Sequence, residues 1–477
     1  MNTIHPTTLK HSRPKMLSGG GLRTIASVIP LLLASVPALA ATAVDQPSVL
    51  ATADQRAVES RAIAIFATPQ VKAQIAKSHE QFLRSPVAAD AESRSTVDNA
   101  VEELAFAATL NAVNSDALRP RVVWAFTPPR RWLGHQVPGS RWGIDNPDNV
   151  YRFAPVDGAS KYELTVRPTA SRRPVQYSFL VYDSFVGEGG RQNNLDSPVA
   201  ALRDQDIKPN ADGSFTVTID SGPANGRRNH LQTNSAARVL LIRNTLSDWN
   251  AQSPQAVGIR RIGGASSVAA QDDAAVAKNA VRLIQAATDT VLGWQASGFA
   301  AKAKANSVAS PFTRGGGWGF ASTGGYRLAQ DEALLVQLDH RSARYVGFDL
   351  TDPWLVSRNH IDSTGSLNNT QVKANADGTF TYVIAPRDPG VGNWLDTGGL
   401  RSGKFLIRWQ ALKPGDTAQS AVRSVQVVKL PALQATLPKG FPAVTAKERR
   451  AQSQLRAGSY ARRYLEPASG APLARVD

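Results

Sequence analysis

Asn210-Ala211-Asp212-Gly213-Ser214-Phe215-Thr216 returns about 165 residues later as Asn375-Ala376-Asp377-Gly378-Thr379-Phe380-Thr381. In both copies an Asp-Gly pair supplies the positive φ of a tight connection, and an alternating strand pattern follows, as in Phe215, Val217 and Ile219 against Thr216 and Thr218. Further blocks match in the same order. Asn229-His230-Leu231-Gln232-Thr233 corresponds to Asn393-Trp394-Leu395-Asp396-Thr397, and Leu241-Ile242-Arg243 to Leu406-Ile407-Arg408. Upstream, Trp142-Gly143 and Tyr151-Arg152 are echoed by Trp318-Gly319 and Tyr326-Arg327. Ordered matches of this kind indicate an internal duplication of a β-rich unit.

Outward from the repeat, the texture changes. Residues 54–118 are Ala-rich, lack tryptophan and place Val101, Leu104, Ala105 and Ala108 at helical spacing, which predicts two or three helices. A second helical stretch, from about Asp272 to Trp294, precedes the second β-half. Thr445 with Glu448 forms a capping box opening a basic helix to about Tyr464. The expected fold is mainly β with helices (α+β): two tandem antiparallel β-sandwich or jelly-roll-like units behind an N-terminal helical region. The expected divisions are a signal peptide over 1–40, helices over 41–118, a first β-repeat over 119–265, a connecting helix over 266–300, a second repeat over 301–436, and a basic helix and tail over 437–477.

The signal-peptide reading rests on Lys10, Arg13, Lys15 and Arg23 without an acid, the apolar run Ile25 to Leu39, and Ala38-Leu39-Ala40 before Ala41. Met16 would also serve as a start, since Arg23 still supplies charge. The expected location is periplasmic or secreted after cleavage. Removing the four basic residues takes the formal charge from +16 to +12, an excess that favours anionic partners such as an acidic glycan or lipid head group, and not nucleic acid outside the cell. Cysteine is absent, which excludes thiolate catalysis and Cys-ligated metals.

The run Asp145-Asn146-Pro147-Asp148-Asn149-Val150-Tyr151-Arg152, Pro155-Val156-Asp157-Gly158, the Asn-Ala-Asp-Gly-Ser-Phe block, and Asn393-Trp394-Leu395 leading to Leu406-Ile407-Arg408-Trp409 resemble a bacterial family known as domain of unknown function 1214. The resemblance spans roughly residues 140–430. It implies a paired jelly-roll-like architecture, open to homo-oligomer formation, and carries no activity or catalytic residues.

Among individual residues, His230 lies beside Arg227, Arg228 and Asn229 in a connection between strands. An imidazole near guanidinium groups could serve as a general base, with Asn229 polarising and Arg227 and Arg228 clamping an anionic substrate. The recurrence of Asn229 as Asn393 favours a loop-shaping role instead. Trp354 and Trp394 have no tryptophan counterpart in the first half and are candidate stacking surfaces; Trp142 and Trp318 read as core. Arg243 and Arg408, on matched strands, read as snorkelling or locally paired. Asp145, Asn146, Asp148 and Asn149 lack the glycine and glutamate of a calcium loop and read as an Asx turn. Gly398 to Lys404 has phosphate-loop spacing, but Phe405 stands where Ser or Thr should hold magnesium. No metal site or cofactor is expected.

These features predict an exported protein acting by binding or assembly at the envelope, with an anionic glycan or lipid as ligand. The alternative is an envelope hydrolase or lyase using His230. The basic C-terminal helix could add a peripheral membrane contact.

Overall fold

A computed structural model describes residues 46–170, 172–188, 197–264 and 267–474; the segment read as a signal peptide lies outside them. Four helices come first: α1 (Ala53–Phe66), α2 (Pro69–Leu83), the short α3 (Ala91–Ser95) and α4 (Val97–Val113). Thr52 caps α1 by accepting from the Gln55 amide, and Pro69 opens α2, where a missing N–H costs nothing.

The first β-half comprises β1 (Val123–Ala125), the hairpin β2 (Arg130–Trp132) and β3 (His135–Val137), then β4 (Asn149–Pro155), β5 (Lys161–Arg167), β6 (Gln176–Tyr182), β7 (Ala200–Arg203), β8 (Phe215–Asp220), β9 (His230–Gln232), β10 (Val239–Thr245) and β11 (Ala256–Ile262). Helices α5 (Asp273–Ala296) and α6 (Phe299–Lys302) lead into the second half: β12 (Ser307–Val308), β13 (Phe312–Arg314), β14 (Gly319–Arg327), β15 (Glu332–Leu338), β16 (Tyr345–Thr351), β17 (Ser366–Asn368), β18 (Phe380–Ala385), β19 (Trp394–Asp396), β20 (Ser402–Gln410) and β21 (Val422–Lys429). Helices α7 (Leu430–Thr436) and α8 (Ala446–Ala461) follow.

Each half is a two-sheet sandwich with the same strand order. The inner sheets run β1-β4-β10-β6-β7 and β12-β14-β20-β16-β17; the outer sheets run β11-β5-β8-β9 and β21-β15-β18-β19. Even the departure from antiparallel pairing is repeated, since β8–β9 and β18–β19 are parallel. The duplicated turns match as well: Gly213 and Gly378 have φ of 82° and 80°, while Asn229 and Asn393 have 50° and 49°. The upstream echo does not survive as an equivalence. Arg243 pairs across to Tyr151 and Arg408 to Ala321, so the counterpart of Tyr151 is Ala321, and Tyr326 lies farther along its strand.

Alternation along the strands separates the interior of each sandwich from a core shared between them. Phe179, Val217 and Ile242 fill the first sandwich; Phe348, Ile384, Ile407 and Trp409 fill the second. The opposite faces of the inner sheets do not meet water. Leu180, Tyr182, Val239 and Leu241 from the first, with Ala321 and Leu406 from the second, join a common core with Leu104, Phe106, Leu283 and Ile284 of the helices. The helical region is therefore not an appendage before two sandwiches, because α4 and α5 supply the layer that both sandwiches need. Burying side chains such as Leu283, Ile284 and Val291 contributes roughly 1.5–3 kcal/mol each.

Two polar features tie the halves together. The Asp145–Asn149 segment contains the expected Asx turn, with the Asp148 amide donating to Asn146 Oδ1 at 2.9 Å. It is also an interlock: the Asp148 carboxylate accepts from Tyr345 Oη at 2.7 Å, Asn368 Nδ2 at 2.8 Å and Trp249 Nε1 at 2.8 Å. At the periphery, α8 opens with the predicted capping box. Arg456 turns inward to donate to the His360 and Ser366 carbonyls, and Arg463, just beyond the helix, donates to the Pro147 carbonyl, while Lys447 and Arg450 stay exposed. Residues 46–53 and 465–473 lie side by side, with the Leu473 amide donating to the Ala51 carbonyl at 2.7 Å and the Ser48 amide to the Leu465 carbonyl at 2.8 Å. No helix among the described residues is long and apolar enough to cross a membrane.

Candidate functional site: an arginine cleft between the halves

Strand parity places every second residue of β10 and β20 in the common layer. After Val239 and Leu241 the next such residue on β10 is Arg243; after Leu406 on β20 it is Arg408. With Arg314 of β13 they enter a cleft of about 170 Å³ between the inner sheets, closed by Trp294 at the end of α5 and Phe299 of α6. Phe126, Trp142, Ile144, Tyr151, Leu241 and Leu406 make the walls largely apolar. Trp142 and Trp294 stack at 5.8 Å with planes 16° apart, and the positive φ of Gly143, 68°, lets the backbone pass directly over Trp294.

The charges do not balance. Arg408 forms an ion pair with Asp349 and donates to the Ile144 carbonyl at 2.7 Å. Arg243, 5% exposed, has no carboxylate or carbonyl partner for its guanidinium among the described residues; its Nη1 is buried without an acceptor. Its contacts are the faces of Trp318, 4.6 Å from the guanidinium carbon, and Tyr151 at 5.9 Å. The Arg314 pKa is lowered by burial first, then by the neighbouring Arg408 and Arg243; arginine nevertheless remains a cation at neutral pH. The remaining acid on the cleft wall, Asp145, is pushed up to about 7 by burial, against the pull of Arg141, and receives a hydrogen bond from Ser357 Oγ at 3.0 Å. At the cleft the indole N–H of Trp294 and Nε of Arg408 are buried without an acceptor, and Oδ1 of Asp145 is buried without a donor. Chemically, such a pocket could take an anion with an apolar body.

The residues proposed from the sequence as catalytic or substrate-binding lie elsewhere. The His230 side chain is 1% exposed, with Nδ1 against Thr218 Oγ1 at 2.8 Å and Nε2 against the Gly222 carbonyl at 2.9 Å and Arg227 at 3.0 Å, so both nitrogens are engaged. Arg227 is held by both oxygens of Asp220, whose pKa is lowered chiefly by that hydrogen bond. Arg228 reaches the Lys208 and Pro209 carbonyls. Asn229 donates to the Lys208 carbonyl and accepts from its amide, and Asn393 does the same with Lys373. The loop-shaping reading of the asparagines is what the geometry displays; an anion clamp at Arg227 and Arg228 is not.

Trp354 is 1% exposed and donates to the Ser93 carbonyl, which leaves no stacking face. Trp394 borders a larger groove, about 690 Å³, beneath α8, but Arg449 covers its ring at 4.9 Å and is itself bound to Asp388. Residues 398–400 turn directly into β20, as expected for a false phosphate loop. No group of three potential metal ligands occurs among the described residues. Arg243 and Arg408 were legible as a repeated pair, but Arg314 and Asp349 carried no signal of their own.

Comparison with known proteins agrees with the family resemblance. Residues 152–245, which hold β4 to β10 and thus Arg243, match the family described as Protein of unknown function (DUF1214). Among solved structures, an uncharacterized protein from Burkholderia cenocepacia is 25% identical, with 78% of this chain and 99% of that chain covered and a TM-score of 0.61. A protein from Vibrio parahaemolyticus is 11% identical, with 70% and 99% covered and a TM-score of 0.38. The comparison with curated proteins gives no match.

Proposed function

We propose that this chain is a binding protein whose ligand places its negative group among Arg243, Arg314 and Arg408, between the two sandwiches. The observation that carries the reading is the buried Nη1 of Arg243, which lacks an acceptor among the described residues while its duplicate Arg408 has Asp349. Withdrawing an ion from water costs several kcal/mol even after relaxation, and an anionic ligand offsets that cost. Charge alone pointed to a glycan or lipid; either would have to present its anionic group here. The N-terminal sequence supports a site of action at the envelope after export, which N-terminal sequencing of the protein recovered from periplasm and medium would check.

The test is thermal unfolding of the native chain and of Arg243→Met with increasing acetate or inorganic phosphate, at constant ionic strength set by chloride. A ligand bound only by the folded state raises the melting temperature with concentration. The native chain should show such a rise, and Arg243→Met should not. Equal rises in both would place anion binding elsewhere. A large loss of stability in Arg243→Met without added anion would make Arg243 a structural residue instead.

A further inference from the structure

We infer that the ligand of the arginine cleft is an aryl carboxylate, a single aromatic ring bearing one carboxylate group. This deepens the anion-binding reading and rests on it. Three features narrow the class. The first is size: an apolar cavity of about 150 Å³ holds benzene, and the cleft measures about 170 Å³. One ring with a small anionic group fits that space, and a sugar chain does not. The second is the wall. Phe126, Trp142, Tyr151, Trp294 and Phe299 present ring edges and faces to the cleft, and aromatic pairs gain beyond simple burial in offset and edge-to-face arrangements.

The third is charge. Arg243, Arg314 and Arg408 face Asp349 and Asp145, so the surplus is one positive charge when Asp145 is ionised and two when it is protonated. A monoanion matches the lower value. Two donors at the cleft that lack acceptors, Arg243 Nη1 and the Trp294 indole N–H, are of the kind that a planar carboxylate with two oxygens can satisfy, and arginine binds carboxylates through parallel N–H donors.

Isothermal titration of the full chain with benzoate, acetate, benzyl alcohol and phenyl phosphate separates the possibilities. Benzoate should bind at least tenfold more tightly than acetate or phenyl phosphate, and benzyl alcohol should give no heat. Arg243→Met should weaken benzoate at least tenfold, and Arg314→Gln severalfold. Arg314 ends the short β13 and belongs to none of the hydrophobic cores among the described residues, so this second variant keeps the test intact if the first fails to fold. Benzoate should also alter the fluorescence of Trp318 against Arg243, an effect that Trp318→Phe would remove. If acetate equals benzoate, or phenyl phosphate binds more tightly, and both depend on Arg243, the aryl carboxylate inference falls while the anion site stands. If no anion binding responds to Arg243 or Arg314, both fall.

Discussion

Arg243 and Arg408 occupy one register position on equivalent strands, yet among the described residues a carboxylate accompanies only Arg408. Leu241 pairs with Leu180 in the first half, and Leu406 pairs with Asp349 in the second, so Leu180 stands where Asp349 would be. The duplicated unit has kept its cation on both sides and its counter-ion on one.

Exchanging these positions separates structure from binding. Leu180→Asp should supply Arg243 with an internal acceptor and reduce anion affinity at least tenfold, as read by titration, because ligand and carboxylate compete for one guanidinium. Full affinity in that variant would mean that the anion does not contact Arg243.

Asp349→Leu should act in the opposite sense. It strands Arg408 as a second unpaired buried cation, and breaking such a pair from one side costs about 3–5 kcal/mol. Urea unfolding should show that loss, whereas Arg243→Met, which removes a charge already lacking a counter-ion, should be neutral or stabilising.

Asp145 and Asp352 should each add stability on acidification from pH 8 to pH 5, opposed by the buried His340 and His360, whose lowered pKa favours the neutral ring in the folded state. Burial raises Asp145 to about 7 and Asp352 to about 6, both from an ordinary value of 3.8. The folded state therefore favours the protonated acids, a contribution complete below the unfolded value and lost as pH climbs through the folded ones. Asp145→Asn should flatten the melting-temperature profile between pH 6 and 8. A profile unchanged by that substitution would remove Asp145 as its source.

Asn229 and Asn393 should be interchangeable in effect. Each holds a left-handed backbone conformation and closes two hydrogen bonds onto one distant residue. Replacement by Ala should cost about 1–3 kcal/mol at either site in urea unfolding. Replacement by Gly should cost less, because only the hydrogen bonds are lost and not the tolerance of positive φ.

How far the sequence reached follows from what repeats. Strand alternation, the Asp-Gly turns and the ordered blocks specify two like sandwiches, because these are local signals with period two. The sharing of α4 and α5 between them was not read from the pattern: α5 shows the single apolar stripe of an appended helix, and only α4, buried nearly all round, has the pattern of a central one. The surroundings of the chosen site residues were hidden for a related reason. His230 drew attention by residue type and basic neighbours, but its nitrogens are consumed by Thr218 and the Gly222 carbonyl, partners that only folding brings near. Arg243 looked ordinary because a strand arginine normally reaches water, and here a second sheet and α5 close over it. Recognising the site needed the comparison of Leu180 with Asp349, which sit in strands whose sequences otherwise differ.

The pairing of residues 46–53 with 465–473 has a consequence for the order of events in folding. The earliest part of the described chain finds its backbone partner only after nearly everything else has been made, and the helices just behind it are covered by a sheet that contains β20. Neither sandwich can bury its inner face while the other is missing, so a chain halted between the repeats would leave Leu180, Leu241 and the helical stripe open to water. The protein is duplicated in pattern but indivisible in assembly, and the same closure that completes it creates the cleft.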